Sequence, residues 1–523
     1  MDLSPFFPAS LAAALPLAWL FLGLAVLRLK ALAVCVLGLF LSLFLACLVW
    51  GLDLRLALEA VLDGTVFALI PILWIIAAAF FSYNLSQHTG AALQIKALLG
   101  GISPDPRIQA LVIAWGLGSF MEAVAGFGTA VIIPTALLLS LGFSPFLAAL
   151  VSLLANTVPV AFGVVGIPVQ TLAWITDLDV SALALAVTLQ LGLLTLAVPF
   201  CIVLCVTRSL SGLKAIWLPT LAAGLSFALA QFLVVLAMGP ELAAVAGSLC
   251  STLCVVLTLR LFPIKTSWSF DGRPPSPADS ESPLLLRAQL QAWSPYILLF
   301  LLVLLSSKLV PPVHLFLGQF SSSLALYSGP GGKPLIIPWL TTPGTLALTG
   351  ALLGGLWQGA RPFAMVRIYG TTLRRLAVPG MTIISLVSMA KVLSYSGMMQ
   401  QLAGDLALLA GSAYPALAPF LGALGSFITG SDTSANILFG ALQKQAALLL
   451  RLDPVWIAAA NASGACIGKL LSPQNLALAT VAAGLAGQEG GLLRVSAAFA
   501  FPFLCIIAVL MFLLQPFPLG GAA

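Results

Sequence analysis

Apolar stretches bounded by short polar segments recur along the chain, at 11–27, 31–50, 57–83, 180–206, 215–238, 241–262, 292–310, 335–357, 376–396 and 492–514. A helix needs about 20 apolar residues to cross the hydrocarbon core of a bilayer, so each stretch predicts one membrane helix. Two further stretches, 145–175 and 454–486, are long enough to cross but are interrupted by Asn, Gly and Pro, and they predict broken spans. Each follows a paired apolar region, 108–142 or 405–450, which reads as a re-entrant hairpin.

The sharpest polar interruption is GSFITGSDTSANILFG, from Gly425 to Gly440. Asp432 is its single charge, flanked by Ser431, Thr433, Ser434 and Asn436. Gly422, Gly425, Gly430 and Gly440 punctuate the region too often for a continuous helix. A bilayer tolerates non-helical backbone only where protein buries it or water reaches it, so this stretch is expected to line a cavity.

Composition agrees with the pattern, since 61% of the 523 residues are hydrophobic and only 7% are charged, which excludes a soluble globular protein. No basic n-region with a small-residue cleavage site precedes the first apolar run, so no removable signal peptide is expected. Cys35, Cys47, Cys201, Cys205, Cys250, Cys254, Cys466 and Cys505 all fall in predicted spans and read as small apolar fillers. His88 and His314 are far apart, and no zinc, haem or phosphate-loop signature occurs, so no metal or organic cofactor and no nucleic-acid partner is expected.

Cytoplasmic loops collect Lys and Arg. With the first span running inward, Arg28, Lys30, Lys96, Arg107, Arg208, Lys214, Arg260, Lys265, Arg273, Arg287, Arg361, Arg367, Arg374, Arg375 and Arg494 face the cytoplasm, while Asp53, Glu59, Asp63, Asp177, Asp179, Glu241, Asp405 and Asp453 lie outside. Arg55, Lys308, Lys333, Lys444 and Arg451 are the outer exceptions. The pattern requires hairpin 108–142 to enter from the cytoplasm and hairpin 405–450 from outside, as inverted copies, with both termini outside.

Sequence supports the duplication: Gly118-Ser119-Phe120 recurs as Gly425-Ser426-Phe427, Pro145 as Pro454, Asn156 as Asn461 and Pro168 as Pro473. The fold expected is therefore an all-α polytopic membrane protein with two inverted-topology repeats, about 12 transmembrane helices, and two re-entrant helical hairpins with broken helices. N-terminal spans occupy 1–53, the first repeat 54–206, connecting spans 207–262, a flexible Pro- and Ser-rich cytoplasmic linker 263–290, connecting spans and an outer loop 291–357, the second repeat 358–514, and a tail 515–523.

Four charges remain inside the bilayer, Glu122, Lys391, Asp432 and Lys469. An ionised side chain there costs at least about 2.5–3.5 kcal/mol, so each is expected to pair, to neutralise itself or to meet water. Glu122 and Asp432 are read as proton-accepting or site carboxylates, the alternative being acids hydrogen-bonded to broken backbone. Lys469 would attract an anion or neutralise Asp432, the alternative being a snorkelling lysine, whereas Lys391, near the end of its span, is read as snorkelling. Asn156-Thr157 and Asn461-Ala462-Ser463 are expected at matching breaks, with Gln474 after Pro473. Broken helices expose amide N-termini that hold a carboxylate without a dedicated arginine. A membrane-embedded hydrolase would need a nucleophile with a base, and no histidine lies in a span to serve Ser431 or Ser463.

GSFMEAVAGFG (118–128), NTVPVAFGVVGIP (156–168), GSDTSANILFG (430–440) and AANASGACIGKLLSPQ (459–474) resemble the signature regions of the L-lactate permease family. The resemblance runs from about residue 55 to about 514. It implies a proton-coupled importer of L-lactate, with D-lactate or glycolate as further substrates, in the cell membrane. It implies a small anionic substrate, the proton as coupling ion, and motif positions at Glu122, Asp432, Lys469 and Gln474. Ala130 stands where the family has proline, which here appears as Pro134, and Ala462 replaces the more usual threonine, so the preferred 2-hydroxy acid stays open. The wider superfamily of inverted-repeat carboxylate transporters offers a sodium-coupled alternative with Ser-Asn-Thr motifs. Here those positions read Ala155-Asn156-Thr157 and Ala460-Asn461-Ala462, which removes oxygen ligands a hard cation needs.

Overall fold

The computed structural model describes residues 6–27, 29–100, 102–126, 128–264, 268–270, 286–306, 310–485 and 488–514. Two helices open the chain, α1 (Phe6–Phe21) and α2 (Ala31–Leu48). Asp53 accepts a hydrogen bond from Arg55 N and so caps α3 (Leu54–Phe67), which continues through π-helical turns into α4 (Trp74–His88). After α5 (Ala91–Gly100), the first hairpin descends as α6 (Pro106–Gln109), π-helical turns over 110–117 and α7 (Gly118–Val124), and returns as α8 (Thr129–Ser140). A broken span follows, α9 (Pro145–Ala155), a 3-10 turn at 159–162, and α10 (Gly163–Thr176). The first half closes with α11 (Val180–Thr207), the short α12 (Leu210–Lys214), α13 (Trp217–Met238) and α14 (Ala243–Leu261).

The second half begins with α15 (Leu286–Ser306) and α16 (Pro311–Gly318). Strands β1 (Ser321–Leu324) and β2 (Leu335–Pro338) then pair antiparallel, with Ser321 opposite Pro338. Next come α17 (Pro343–Trp357), α18 (Pro362–Tyr395) and α19 (Met398–Ala410). The second hairpin is α20 (Tyr414–Thr429) and α21 (Asp432–Leu449), and the second broken span is α22 (Pro454–Gly468), a 3-10 turn at 469–471 and α23 (Pro473–Ala482), ahead of α24 (Glu489–Leu513).

The expected all-helical membrane architecture is present, and its halves correspond element by element. Helices α3, α9 and α11 start at 54, 145 and 180, and α18, α22 and α24 start at 362, 454 and 489, a shift of 308 or 309 residues. Among the described residues ten helices are long and apolar enough to cross, or eleven if α22 and α23, bent by 47°, count as one span. The expected span at 335–357 is shorter than expected. Its head is strand β2, and only the fifteen residues of α17 are helical. The second hairpin is also tighter than 405–450, because α19 is a separate helix and the turn between the arms is Gly430-Ser431. The linker 263–290 lies largely outside the described residues.

Two groups of helices pack against each other. In one, α18 lies against α2, α3 and α4, with α17 joining α4 to α15. In the other, α20 and α21 pack on α22, and α11 joins α22 to α13. The groups meet where α18 crosses α21 and α4 touches α10. Close approach in the second group comes from glycine: a Cβ on Gly464 or Gly468 would overlap the carbonyl oxygen of Pro419 or Ala423 on α20, and one on Gly422 would overlap that of Asn461.

Candidate functional site

The breaks and hairpin tips converge on a cavity of about 760 Å³. Its wall is made by Glu122 of the first hairpin, Gly163 and Val164 of the broken α10, Ser431 to Ser434 of the second hairpin, and Lys469, Gln474 and Asn475 of the second break. Opposite stand Cys35 of α2 and Val378, Thr382, Ile383 and Leu386 of α18, with Lys30 at the rim.

Local chain chemistry explains how these groups arrive there. Gly430 has φ +71°, and a Cβ there would overlap the Gln474 side-chain oxygen, so only glycine lets the second tip lie against α23. In α10, Val164, Val165 and Gly166 form a left-handed turn with φ of 46°, 57° and 79°. Left-handed backbone costs a β-branched residue roughly 1–2 kcal/mol, a strain that proteins hold at functional sites. The turn brings Gly163 against Glu122, whose Oε1 would lie 2.9 Å from a Cβ at that position.

Lys469 Nζ lies 2.9 Å from Glu122 Oε1, with the two side chains 10% and 4% exposed. The second carboxylate oxygen of Glu122 has no hydrogen-bond partner among the described residues. Lys469 was expected to face an anion or Asp432, and its direct partner is Glu122. Asp432 is buried nearby. Its Oδ2 accepts from the Cys466 thiol at 3.5 Å, and its Oδ1 has no partner among the described residues. The neighbouring hydroxyls serve the backbone instead: Ser431 Oγ accepts from Ser434 N, capping α21, and Thr429 Oγ1 donates to Gly425 O.

Three helices start at the cavity, α8 after Gly128, α21 after Ser431 and α23 after Ser472. Each N-terminus carries unsatisfied amides and a partial positive charge, worth about 0.3–1 kcal/mol to an anion. Together with Lys469 they gather positive charge, full and partial, on the wall of one cavity.

The remaining candidates stand behind this wall. Asn436 Nδ2 donates to Pro168 O at 3.1 Å, bridging α21 to α10. Asn461 was expected at a break, but it lies inside the continuous α22. There its Nδ2 donates to Asn436 Oδ1 at 2.9 Å and its Oδ1 accepts from Gln443 at 3.4 Å. Ser463 Oγ donates to Gln190 Oε1 at 2.7 Å, fixing α22 to α11. Asn156 and Thr157 do sit at the first break, buried below the cavity wall, with Thr157 Oγ1 donating to Leu153 O. The two breaks therefore do not match at asparagine. The first spans 156–166, and the second is Lys469 to Ser472.

The L-lactate permease family profile matches residues 9–517. The chain belongs to that family. An L-lactate permease of Streptococcus iniae is 40% identical over 87% of this chain and 94% of its own length. An L-lactate permease of Escherichia coli K12 is 35% identical over 96% and 95% of the two chains, and a glycolate permease of the same strain is 32% identical over 98% and 96%. The chain is thus a multi-pass transporter of the cell membrane and not an enzyme. Within this member, the family departure at Ala462 lies in packed α22 and does not reach the cavity.

Sequence reasoning missed Cys466, read as an apolar filler, as the partner of Asp432. Its signal was its spacing: three residues before Lys469, it shares a helix face with the one cation of that segment. Gly163 and Val164 carried no polar signal at all.

Proposed function

We propose that this permease imports L-lactate, and with it small 2-hydroxymonocarboxylates such as D-lactate or glycolate, by proton symport. The observation that carries the reading is the buried Glu122–Lys469 pair facing a cavity that also holds Asp432 and three helix N-termini. An incoming carboxylate competes with Glu122 for Lys469 and takes over its ammonium. Glu122, left without its counter-ion in a low-dielectric wall, binds a proton, because a lone buried carboxylate costs several kcal/mol. One anion and one proton then occupy the site together, its net charge is unchanged, and the loaded form crosses without moving charge. On release, the substrate leaves Lys469, Glu122 gives up its proton, and the pair re-forms.

The substrate hydroxyl has Ser431, Thr433 and Gln474 within the same wall, and its short carbon chain has Val164 and Leu478. Coupling to protons rather than sodium is supported by Asn461 of packed α22, whose side-chain oxygen accepts from Gln443 and does not line the cavity. We read the hairpins as inverted re-entrant copies that carry the site.

The test is radiolabelled L-lactate uptake into sodium-free proteoliposomes, with and without an inward proton gradient. Accumulation driven by the gradient is expected, with competition by glycolate and D-lactate. Accumulation that needs sodium would overturn the proton reading, and absence of uptake under both conditions would overturn the substrate.

A further inference from the structure

A second cavity of about 760 Å³ lies across the seam that Asn436 and Pro168 close between α21 and α10. Its lining includes Asp63, Asp177, Glu241, Lys333, Lys391 and Lys444. Lys333 pairs with Asp177, Lys444 donates to Thr176 O at 2.5 Å, and Glu241 accepts from Gln170 at 3.2 Å. Lys333 and Asp177 lie outside the helices and Glu241 precedes α14, while Gln170 and Lys444 lie within α10 and α21.

Lys391 is different. It is inside α18, its side chain is 19% exposed, and its Nζ lies 3.0 Å from Oδ2 of Asp63 on α3. The Tyr395 hydroxyl donates to the same carboxylate oxygen at 2.7 Å. The ammonium lies 5.0 Å from the centre of the Phe67 ring and 5.5 Å from that of Tyr395, which stacks on Tyr327 at 3.8 Å. A snorkelling lysine reaches out to water, whereas this one is folded onto two rings and a carboxylate. An ion pair contributes little to stability over a well-packed apolar pair, so its presence in a span points to use.

Position suggests which use. Helix α18 lines both cavities, the site cavity with Val378 to Leu386 and the second cavity with Ala390 to Tyr395. Leu386 and Lys391 are separated by about 7.5 Å of helix rise. Lys391 is thus the α18 cation beside the seam on one side, as Lys469 is the cation of the site on the other.

We propose that Lys391, held by Asp63 and Tyr395, binds the carboxylate of a small monocarboxylate in the second cavity before it passes to Lys469. The proposal rests on the reading of the chain as a monocarboxylate importer. Asp63 and the Tyr395 hydroxyl orient Lys391, and the ammonium still has a proton to donate into the cavity. Phe67 and Tyr395 supply an apolar wall for a short carbon chain.

Ser394, one turn from Lys391, lines the second cavity, and Thr433 lines the site cavity. Cysteines introduced at these positions, S394C and T433C, report occupancy through the rate of alkylation by a charged maleimide supplied on the side to which each cavity opens, measured above that of the unaltered chain, whose own Cys35 lines the site cavity. L-Lactate should protect both. In K391M the concentration giving half protection of S394C should rise at least tenfold, while that for T433C changes less than twofold, and K391R should retain protection at S394C. The double variant D63N/K391M leaves no orphaned charge and should behave as K391M does. Unchanged protection of S394C in K391M, or an equal loss at both positions in the double variant, would overturn the proposal. If lactate protects neither cysteine in the otherwise unaltered chain, the importer reading falls and this proposal with it.

Discussion

The ion pair at the site gives its residues unequal costs of removal. Taking away Lys469 leaves Glu122 buried without its counter-ion, a loss of about 3–5 kcal/mol, whereas removing both groups leaves nothing uncompensated. K469M should therefore unfold at a clearly lower temperature in detergent than E122Q/K469M, and equal melting of the two would mean that Lys469 is not needed to hold Glu122 in the fold. E122Q frees Lys469 for the substrate but offers no carboxylate to protonate, so it should lose gradient-driven accumulation while counterflow of labelled lactate persists, with a lower half-saturating concentration. Normal accumulation in E122Q would remove Glu122 from coupling. Outside the spans, burial beside Gln170 pushes Glu241 up from 4.5 to about 7. A carboxyl whose pKa rises on folding contributes its full stability below its unfolded value, near pH 4.5, and loses it as pH rises through 7. Since Glu241 keeps some contact with water, the loss between pH 5 and pH 8 should be about 1–2 kcal/mol. E241Q should flatten that part of the melting-temperature profile, and an unchanged slope would place the titration elsewhere.

Helix α22 shows what element-scale packing demands. Its glycines 464 and 468 face carbonyls of α20 so closely that any side chain displaces the hairpin. G464A should lower stability by more than about 2 kcal/mol in thermal unfolding and slow uptake, because the shift moves Lys469 off Glu122, and a silent G464A would show that the hairpin has room to move. Much of this element was legible in the chain: Pro454 at its start, Gly-rich spacing, and an intramembrane Lys469 near a proline-marked break. What was not legible were the partners. Lys469 meets Glu122 across 347 residues of sequence, and Lys391 meets Asp63 on another helix rather than snorkelling, because periodicity tells which face of a helix is polar and not what that face touches. Asn461 was placed at a break because it matched Asn156 in type. The helix continues through it since its amide bonds its neighbours and leaves its own backbone ladder intact. The left-handed turn at Val164 and Val165 gave no signal, as β-branched residues argue against that conformation.

At the scale of the molecule, the two cavities lie on opposite sides of one seam, and a carrier needs them to open to opposite sides of the membrane. Charge along the chain assigns those sides. On the sequence expectation Lys30, lining the site cavity, falls on the cation-rich cytoplasmic face, whereas Lys333, at the second cavity, falls outside with Asp63, Asp177 and Glu241. On the expected topology the site cavity opens inward, with Asn436 donating to Pro168 O across the seam toward the second cavity. A membrane-impermeant maleimide added to right-side-out vesicles should label K333C but not K30C, and inverted vesicles should give the reverse. L-Lactate inside should slow labelling of K30C by filling the cavity behind it. Labelling of both cysteines from the same side would put both cavities on one face of the membrane. The seam could not then act as the barrier that substrate crosses, and a channel-like path through the α10 turn would have to replace alternating exposure of Lys391 and Lys469.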